Sequence, residues 1–162
     1  MLGEFLKQSK NTDYKALTKN NGFQYFFDEM PRKINNMVHI NGWFTKENVI
    51  FAVEQWSIAL TEKNLTDWLS KYNIENKQTK TIGIIMAGNI PLVGFHDFLS
   101  VLICGHKALI KQSSNDNQLL PFLASYLIEV EPRFKDYITF TKEKFTDFDA
   151  VIATGSNNTS RY

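Results

Sequence analysis

Thr81-Ile82-Gly83-Ile84-Ile85-Met86-Ala87-Gly88-Asn89-Ile90-Pro91 decides how this chain folds. The apolar run is too short for a stable helix and is closed by Gly-Asn and then Pro, which reads as a buried strand running into a turn. Three more short apolar runs follow: Lys107–Lys111, Tyr137–Thr141 and Asp149–Ala153. Pro91 to Cys104 reads as a helix between the first two, with Pro91 in its first turn and Gly105 placed to end it. A second helix is predicted from Asp116 to Glu129, capped by Ser114 or Asn115 and closed by Pro132. Strand-helix-strand-helix-strand order predicts a parallel sheet. One connection fits badly. Only Lys142 to Phe148 separates the last two strands, whereas a parallel crossover usually takes a dozen or more residues. Either that crossover is a bare loop or the third strand starts earlier.

Upstream, the polar stretch Asn73–Lys80 reads as a link to a mostly helical N-terminal segment. Val49, Val53, Trp56 and Leu60 recur at helical spacing, with Thr45 as N-cap and Glu47 in the first turn. A following helix carries Leu65, Trp68, Leu69 and Tyr72, with Thr66-Asp67 near its start. Before it, Phe5, Leu6, Tyr14 and Leu17 hint at short helices, Asn21-Gly22 and Asn41-Gly42 signal turns, and Pro31 is expected to break any element between them. The predicted division is 1–78 for the helical segment and 79–162 for a partial α/β domain.

Composition removes several function classes. The formal net charge is +1, with no basic block, so no electrostatic nucleic-acid binder is indicated. The single cysteine, Cys104, excludes a disulfide framework and a cysteine-rich zinc site within the chain and fits a cytoplasmic protein. No signal peptide is visible at the start, and the longest apolar segment, Ile90–Cys104, is interrupted by His96 and Asp97 and is too short to span a bilayer. His39 and His106 are isolated, and no spacing suggests a metal site.

The chemistry sits at the strand ends. In open parallel sheets, ligands bind outside the carboxyl ends of the strands. The first strand ends in Ala87-Gly88-Asn89, where Gly permits close backbone approach and Asn offers an amide donor beside a helix N-terminus. The bland alternative is a plain turn. The second ends in Lys111, followed by Gln112-Ser113-Ser114, an ammonium beside hydroxyls that suits the ribose or phosphate of a nucleotide. Its bland counterpart is a solvated lysine and a Ser cap. The fourth ends in Thr154-Gly155-Ser156, whose amides and hydroxyls suit a phosphate. It is neither a P-loop nor the three-glycine dinucleotide fingerprint, because the Gly-Lys-Ser/Thr ending and the further glycines are missing. His96 and Asp97 are adjacent, so on a helix they point about a hundred degrees apart; they read as a polar patch and not as an acid-base pair.

From Thr81 to Tyr162 the order and spacing of these phrases resemble the cofactor domain of the aldehyde dehydrogenase superfamily. Asn89-Ile90-Pro91 resembles its Asn-Phe-Pro turn, Gly105 through Lys111 its Gly-Asn-x-Val-Val-x-Lys strand, and Thr154-Gly155-Ser156 its Thr-Gly-Ser phosphate loop. Gly-Asn-Ile-Pro-Leu-Val-Gly-Phe-His-Asp, with the Trp-bearing helices before it, more closely resembles one branch: the acyl-CoA reductases related to the fatty acid reductase of bacterial luminescence. The implied fold is α/β, a partial Rossmann-like parallel sheet of the aldehyde dehydrogenase type preceded by a helical segment.

That resemblance implies an enzyme reducing a fatty acyl-CoA to an aldehyde with NADPH through a cysteine thioester. Asn89 would be the catalytic oxyanion donor. Ala87, Gly88, Lys111, Ser113, Ser114, Thr154, Gly155 and Ser156 would bind the cofactor, with Lys111 on the adenosine ribose and Gly155 and Ser156 against the pyrophosphate. Ser114 stands where many NAD-using relatives carry a ribose-chelating Glu. A carboxylate there repels a 2′-phosphate and Ser114 does not, which favours NADP(H). The superfamily's nucleophile lies well downstream of the Thr-Gly-Ser loop, so the chain is expected to be the N-terminal part of a homo-oligomeric reductase, inactive alone, with Cys104 a small buried hydrophobe. The competing reading is a non-catalytic nucleotide-binding or protein-interaction module.

Overall fold

A computed structural model of the chain describes residues 1–9, 23–74 and 78–155. Tyr14, Leu17, the Asn21-Gly22 turn and Ser156 lie outside them. The chain divides into two compact units, Met1–Asn73 and Ile74–Tyr162.

The first unit holds α1 (Leu2–Ser9), α2 (Gln24–Ile40), α3 (Lys46–Ala59) and α4 (Glu62–Leu69). Phe5 is buried at its centre, edge-on to Phe26 and Phe27 at ring separations of 6.5 and 5.1 Å. The Thr45 hydroxyl accepts from the Asn48 N–H and starts α3, and Val49 and Val53 turn its inner face into the core. Pro31 does not break the chain: α2 runs through it. Phe26, Phe27, Met30, Ile34 and Met37 form one buried stripe on both sides of the proline. Burying such a stripe outweighs the roughly 3 kcal/mol that an interior proline costs. The start of α4 also differs from expectation. Thr61, not Thr66, caps it by accepting from the Asn64 N–H, and Tyr72 lies beyond its end.

The second unit is a four-stranded, all-parallel sheet in the order β3-β2-β1-β4. Its strands are β1 (Thr81–Ile85), β2 (Lys107–Lys111), β3 (Ile138–Phe140) and β4 (Ala150–Ala153). Helix α5 (Phe95–Ile103) links β1 to β2 and packs on both, and α6 (Leu119–Val130) leads from β2 through a short 3₁₀ turn, Pro132–Asp136, to β3. Ile82, Ile84, Ala108 and Ile110 alternate along β1 and β2 into the buried, helix-covered face. Gly105 ends α5 as predicted. With φ 73° it takes the left-handed conformation, and the N–H groups of Gly105 and His106 donate to the Leu102 and Val101 carbonyls, the double bond of a Schellman cap.

Both helices of this unit start later than the sequence suggested. Leu92 has φ 59°, which no right-handed helix accommodates, so Pro91–Gly94 forms a turn and α5 begins at Phe95. Likewise Ser113 and not Ser114 or Asn115 closes the turn after β2, accepting from the Asn115 N–H, and α6 begins only at Leu119.

The short β3–β4 connection is a bare loop. It must cross the sheet from one edge to the other, about 14 Å, and return one strand length. Residues 141–149, extended, reach about 30 Å, which suffices without a helix. The loop runs over the face opposite the helices, where Gly83 leaves room for the Phe145 ring: a Cβ on Gly83 would lie 2.8 Å from it. Asp149 then fixes the start of β4, its carboxylate accepting from the Thr81 N–H at 2.7 Å while its own N–H donates to the Thr81 carbonyl.

Candidate functional site

Strands β2, β1 and β4 are neighbours running one way, with Lys111, Ile85 and Ala153 in register. The segments that follow them therefore leave the sheet along one rim. The Met86 N–H donates to the Lys111 carbonyl and the Thr154 N–H to the Ile85 carbonyl, extending the pairing by a residue at both seams. The strand order also places a topological switch point here. From β1 the chain moves outward to β2 and β3, then returns to β4 on the other side of β1. Crevices at such points are where open α/β sheets take ligands.

The predicted residues that the structure describes, all but Ser156, follow the strand ends along this rim. Ala87 and Gly88 are half-buried and Asn89 is exposed, directly after β1. The space at Gly88 is used by the protein itself: a Cβ there would lie 2.5 Å from the Ser113 Oγ, so the glycine lets the loop after β1 close onto the loop after β2. Lys111 is half-buried at the end of β2, and Ser114 beyond it is exposed. The Thr154 hydroxyl donates to the Ile85 carbonyl at 3.3 Å. Its proton thus ties β4 to the end of β1 and is not directed at a ligand. Gly155 follows, exposed.

Beside the rim, a cavity of about 570 Å³ opens between the ends of β2 and β3 and the start of α6. Lys111, Ser113 and Ser114 line it from one side, Phe140 and Lys142 from the other. Among the described residues, the charged groups that line it are the two lysines.

Sequence reasoning missed one residue of this region altogether. Asp116 was read as the first residue of a helix, yet it is 7% exposed and lies before α6. Its Oδ2 accepts from the Leu92 N–H at 3.3 Å, clamping the left-handed turn after Asn89 to the loop after Lys111. Its Oδ1 has no partner among the described residues. Burial pushes its pKa up to about 6, against the weaker opposing effect of the Leu92 N–H. Only its position between polar turn residues and an apolar run hinted at a special role.

Cys104 lies at the opposite end of the unit. Helix α5 descends from the rim towards the start of β2, about 13 Å for its length, and Cys104 caps its far end, half-buried. Among the described residues no group of three or more His, Cys, Asp or Glu side chains gathers as a metal site, and no helix is long and apolar enough to cross a membrane. His96 stands beside Asp97 at 3.7 Å on the exposed side of α5.

No curated protein and no solved structure gives a significant match to the chain. The family model described as acyl-CoA reductase (LuxC) matches residues 4–162, both units included. With nearly its whole length covered and a parallel sheet of the kind the strand-end phrases implied, the chain belongs to the LuxC family of acyl-CoA reductases.

Proposed function

We propose that this chain is the cofactor-binding part of a cytoplasmic, NADPH-dependent fatty acyl-CoA reductase of the aldehyde dehydrogenase type. The observation that carries this reading is the shared rim: Asn89, Lys111 and Gly155 follow the carboxyl ends of three adjacent parallel strands. NADPH, when bound, supplies the hydride. Lys111 and Ser114 hold its adenosine ribose, and the Thr154-Gly155 turn, with Ser156 next in sequence, runs along its pyrophosphate. Ser113 and Gly88 keep the first two loops together. Asn89, exposed on the rim, donates to the oxyanion that develops when a thioester carbonyl is attacked.

The nucleophilic cysteine of this reading lies outside these 162 residues. Cys104 does not serve, since α5 holds it at the edge of the sheet away from Asn89. The purified chain is therefore expected to show no NADPH oxidation with a long-chain acyl-CoA in a spectrophotometric assay. Turnover that vanished in Cys104→Ser would refute this assignment.

Cofactor choice gives the direct test. Calorimetric titration is expected to show NADPH bound at least tenfold more tightly than NADH. Ser114→Glu should erase that preference by setting a carboxylate against the 2′-phosphate, a difference of about 1.4 kcal/mol or more. Equal affinities in the parent chain, or no binding of either nucleotide, would remove the proposal.

A further inference from the structure

Leu92 holds a backbone conformation that a leucine opposes. The Val93 N–H donates to the Ile90 carbonyl at 3.2 Å, closing a four-residue turn with Pro91 and Leu92 at its centre. Proline first and a positive φ second, 59° at Leu92, make this a type II turn, which selects Gly or Asn where Leu92 stands. The Leu92 side chain is anchored in the core, 3% exposed, while its backbone stays left-handed at an energetic cost. Asp116 offsets that cost: its Oδ2 accepts from the Leu92 N–H at 3.3 Å. A type I turn differs from type II by rotation of one peptide, here Pro91–Leu92. That rotation makes Leu92 right-handed and brings the Pro91 carbonyl to the place where the Leu92 N–H now faces Asp116. It also lets α5 begin at Pro91, the start that proline in a first helical turn favours.

We infer that Asp116 is a positioning residue for Asn89: it holds the Pro91–Leu92 peptide in one of two orientations and so sets whether α5 begins at Phe95 or at Pro91. The consequence rests on the reading of Asn89 as the oxyanion donor, because the first-turn N–H groups of an α5 begun at Pro91 open onto the rim beside it. Proton occupancy decides the orientation. An ionised carboxylate accepts from the Leu92 N–H and repels the Pro91 carbonyl. A neutral carboxyl donates to that carbonyl, and Oδ1, buried without a partner among the described residues, is the oxygen available to carry the proton. The left-handed turn therefore binds this proton less tightly than the rotated one. It is favoured above about pH 6 and gives way as pH falls through that value. Both orientations keep Asp116 buried, so this local equilibrium is separate from the desolvation that governs unfolding. The pKa of Asp116 is set by burial and by the opposing Leu92 N–H, with no charged side chain among its causes. Pro91–Gly94, the rest of residues 112–118 and the first turn of α6 contain no ionisable side chain. The titratable groups of the neighbouring segments are Lys111 at the end of β2 and His96 and Asp97 in the first turn of α5.

The test is NMR spectroscopy of the isotopically labelled 162-residue chain at pH 7.5 and pH 5.0, with its Asp116→Asn and Asp116→Leu variants. A strong cross-peak between the Pro91 Hα and the Leu92 N–H marks the left-handed turn and is lost on rotation. In the parent, relaxation dispersion at the Leu92 N–H and the Asn89 side-chain amide should report a minor state about fivefold more populated at pH 5.0, since a charged acceptor is roughly twice as strong as a neutral one. Asp116→Asn can accept or donate at either pH, so its minor population should not change with pH. Lys111, His96 and Asp97 remain in that variant; a pH response that persists there belongs to them and overturns the inference. In Asp116→Leu the cross-peak should vanish at both pH values, with carbon shifts placing Pro91–Gly94 in α5. A retained cross-peak overturns the role of Asp116, and if this variant does not fold, the comparison of parent with Asp116→Asn decides alone. Neither readout uses a nucleotide. If the parent binds no NADPH and the turn still responds as expected, the proposed function falls and the control of the turn by Asp116 stands. If NADPH binds and the turn does not respond, this inference alone falls.

Discussion

Replacing Asp116 by Asn is expected to stabilise the chain at neutral pH by up to about 3 kcal/mol and to remove a pH dependence between pH 4 and pH 6. Asp116 is buried and its carboxyl titrates near pH 6 in the folded chain, against about 3.8 without the fold's influence. Folding therefore raises the pKa, and the native state binds more protons than the unfolded state between those values. The unfolding free energy then falls as pH rises: this group favours the fold below about pH 4 and loses that contribution as pH passes through 6. Asn keeps an oxygen to accept from the Leu92 N–H and carries no charge to desolvate, so its unfolding free energy should lack this slope. Asp116→Leu isolates the clamp. It removes the charge but also leaves the Leu92 N–H without its acceptor, a cost of about 1–3 kcal/mol. At pH 8 it should fall below Asn by that margin, and amide exchange at Leu92 should quicken. Urea unfolding of the three proteins at pH 4.5 and pH 8 decides the matter. Parallel pH profiles for Asp116→Asn and its parent would contradict the assignment of that slope to Asp116.

How much of this molecule could be read beforehand depends on the range of the interaction concerned. The strands were legible because an apolar run closed by Gly-Asn, Lys-Gln-Ser or Thr-Gly carries its own boundaries. Gly105 was legible for the same reason, since a helix cap is settled within five residues. The onset of α5 was not, because Leu92 owes its left-handed turn to a carboxylate 24 positions away. Pro31 misled because a local rule, proline as a breaker, met a buried stripe extending about one and a half turns on either side of it. At the candidate site, Lys111 stood out through a resemblance of motif. Lys142, two residues beyond the end of β3, had no motif around it, and its place on the same cavity as Lys111 became visible only once β2 and β3 were paired. Thr154 shows the converse. Its phrase suggested a phosphate, and the fold uses its hydroxyl to tie two strands together.

Gly83→Val is expected to destabilise the second unit by about 2–3 kcal/mol, although Val is the better strand former. Gly83 sits in β1, the strand paired on both sides, and its missing side chain is the floor on which Phe145 rests. A Cβ would come within 2.8 Å of that ring and 3.1 Å of the Val151 side chain, and valine adds two methyl groups beyond it. The ring must leave, and with it the loop that brings the chain back from β3 to β4. Its stay is short: β4 is held by β1 alone among the described strands, with Val151 already 41% exposed. Loosening this loop should therefore loosen the seam that carries Thr154 and Gly155, and nucleotide affinity should fall along with stability. Phe145→Ala tests the cause. Alone it costs the burial of one half-covered ring. In the Gly83→Val background it vacates the space the valine needs, so the double variant should be more stable than the sum of the single losses by about 1 kcal/mol or more. Strictly additive losses in urea unfolding would mean that Gly83 is required for some reason other than the passage of this loop.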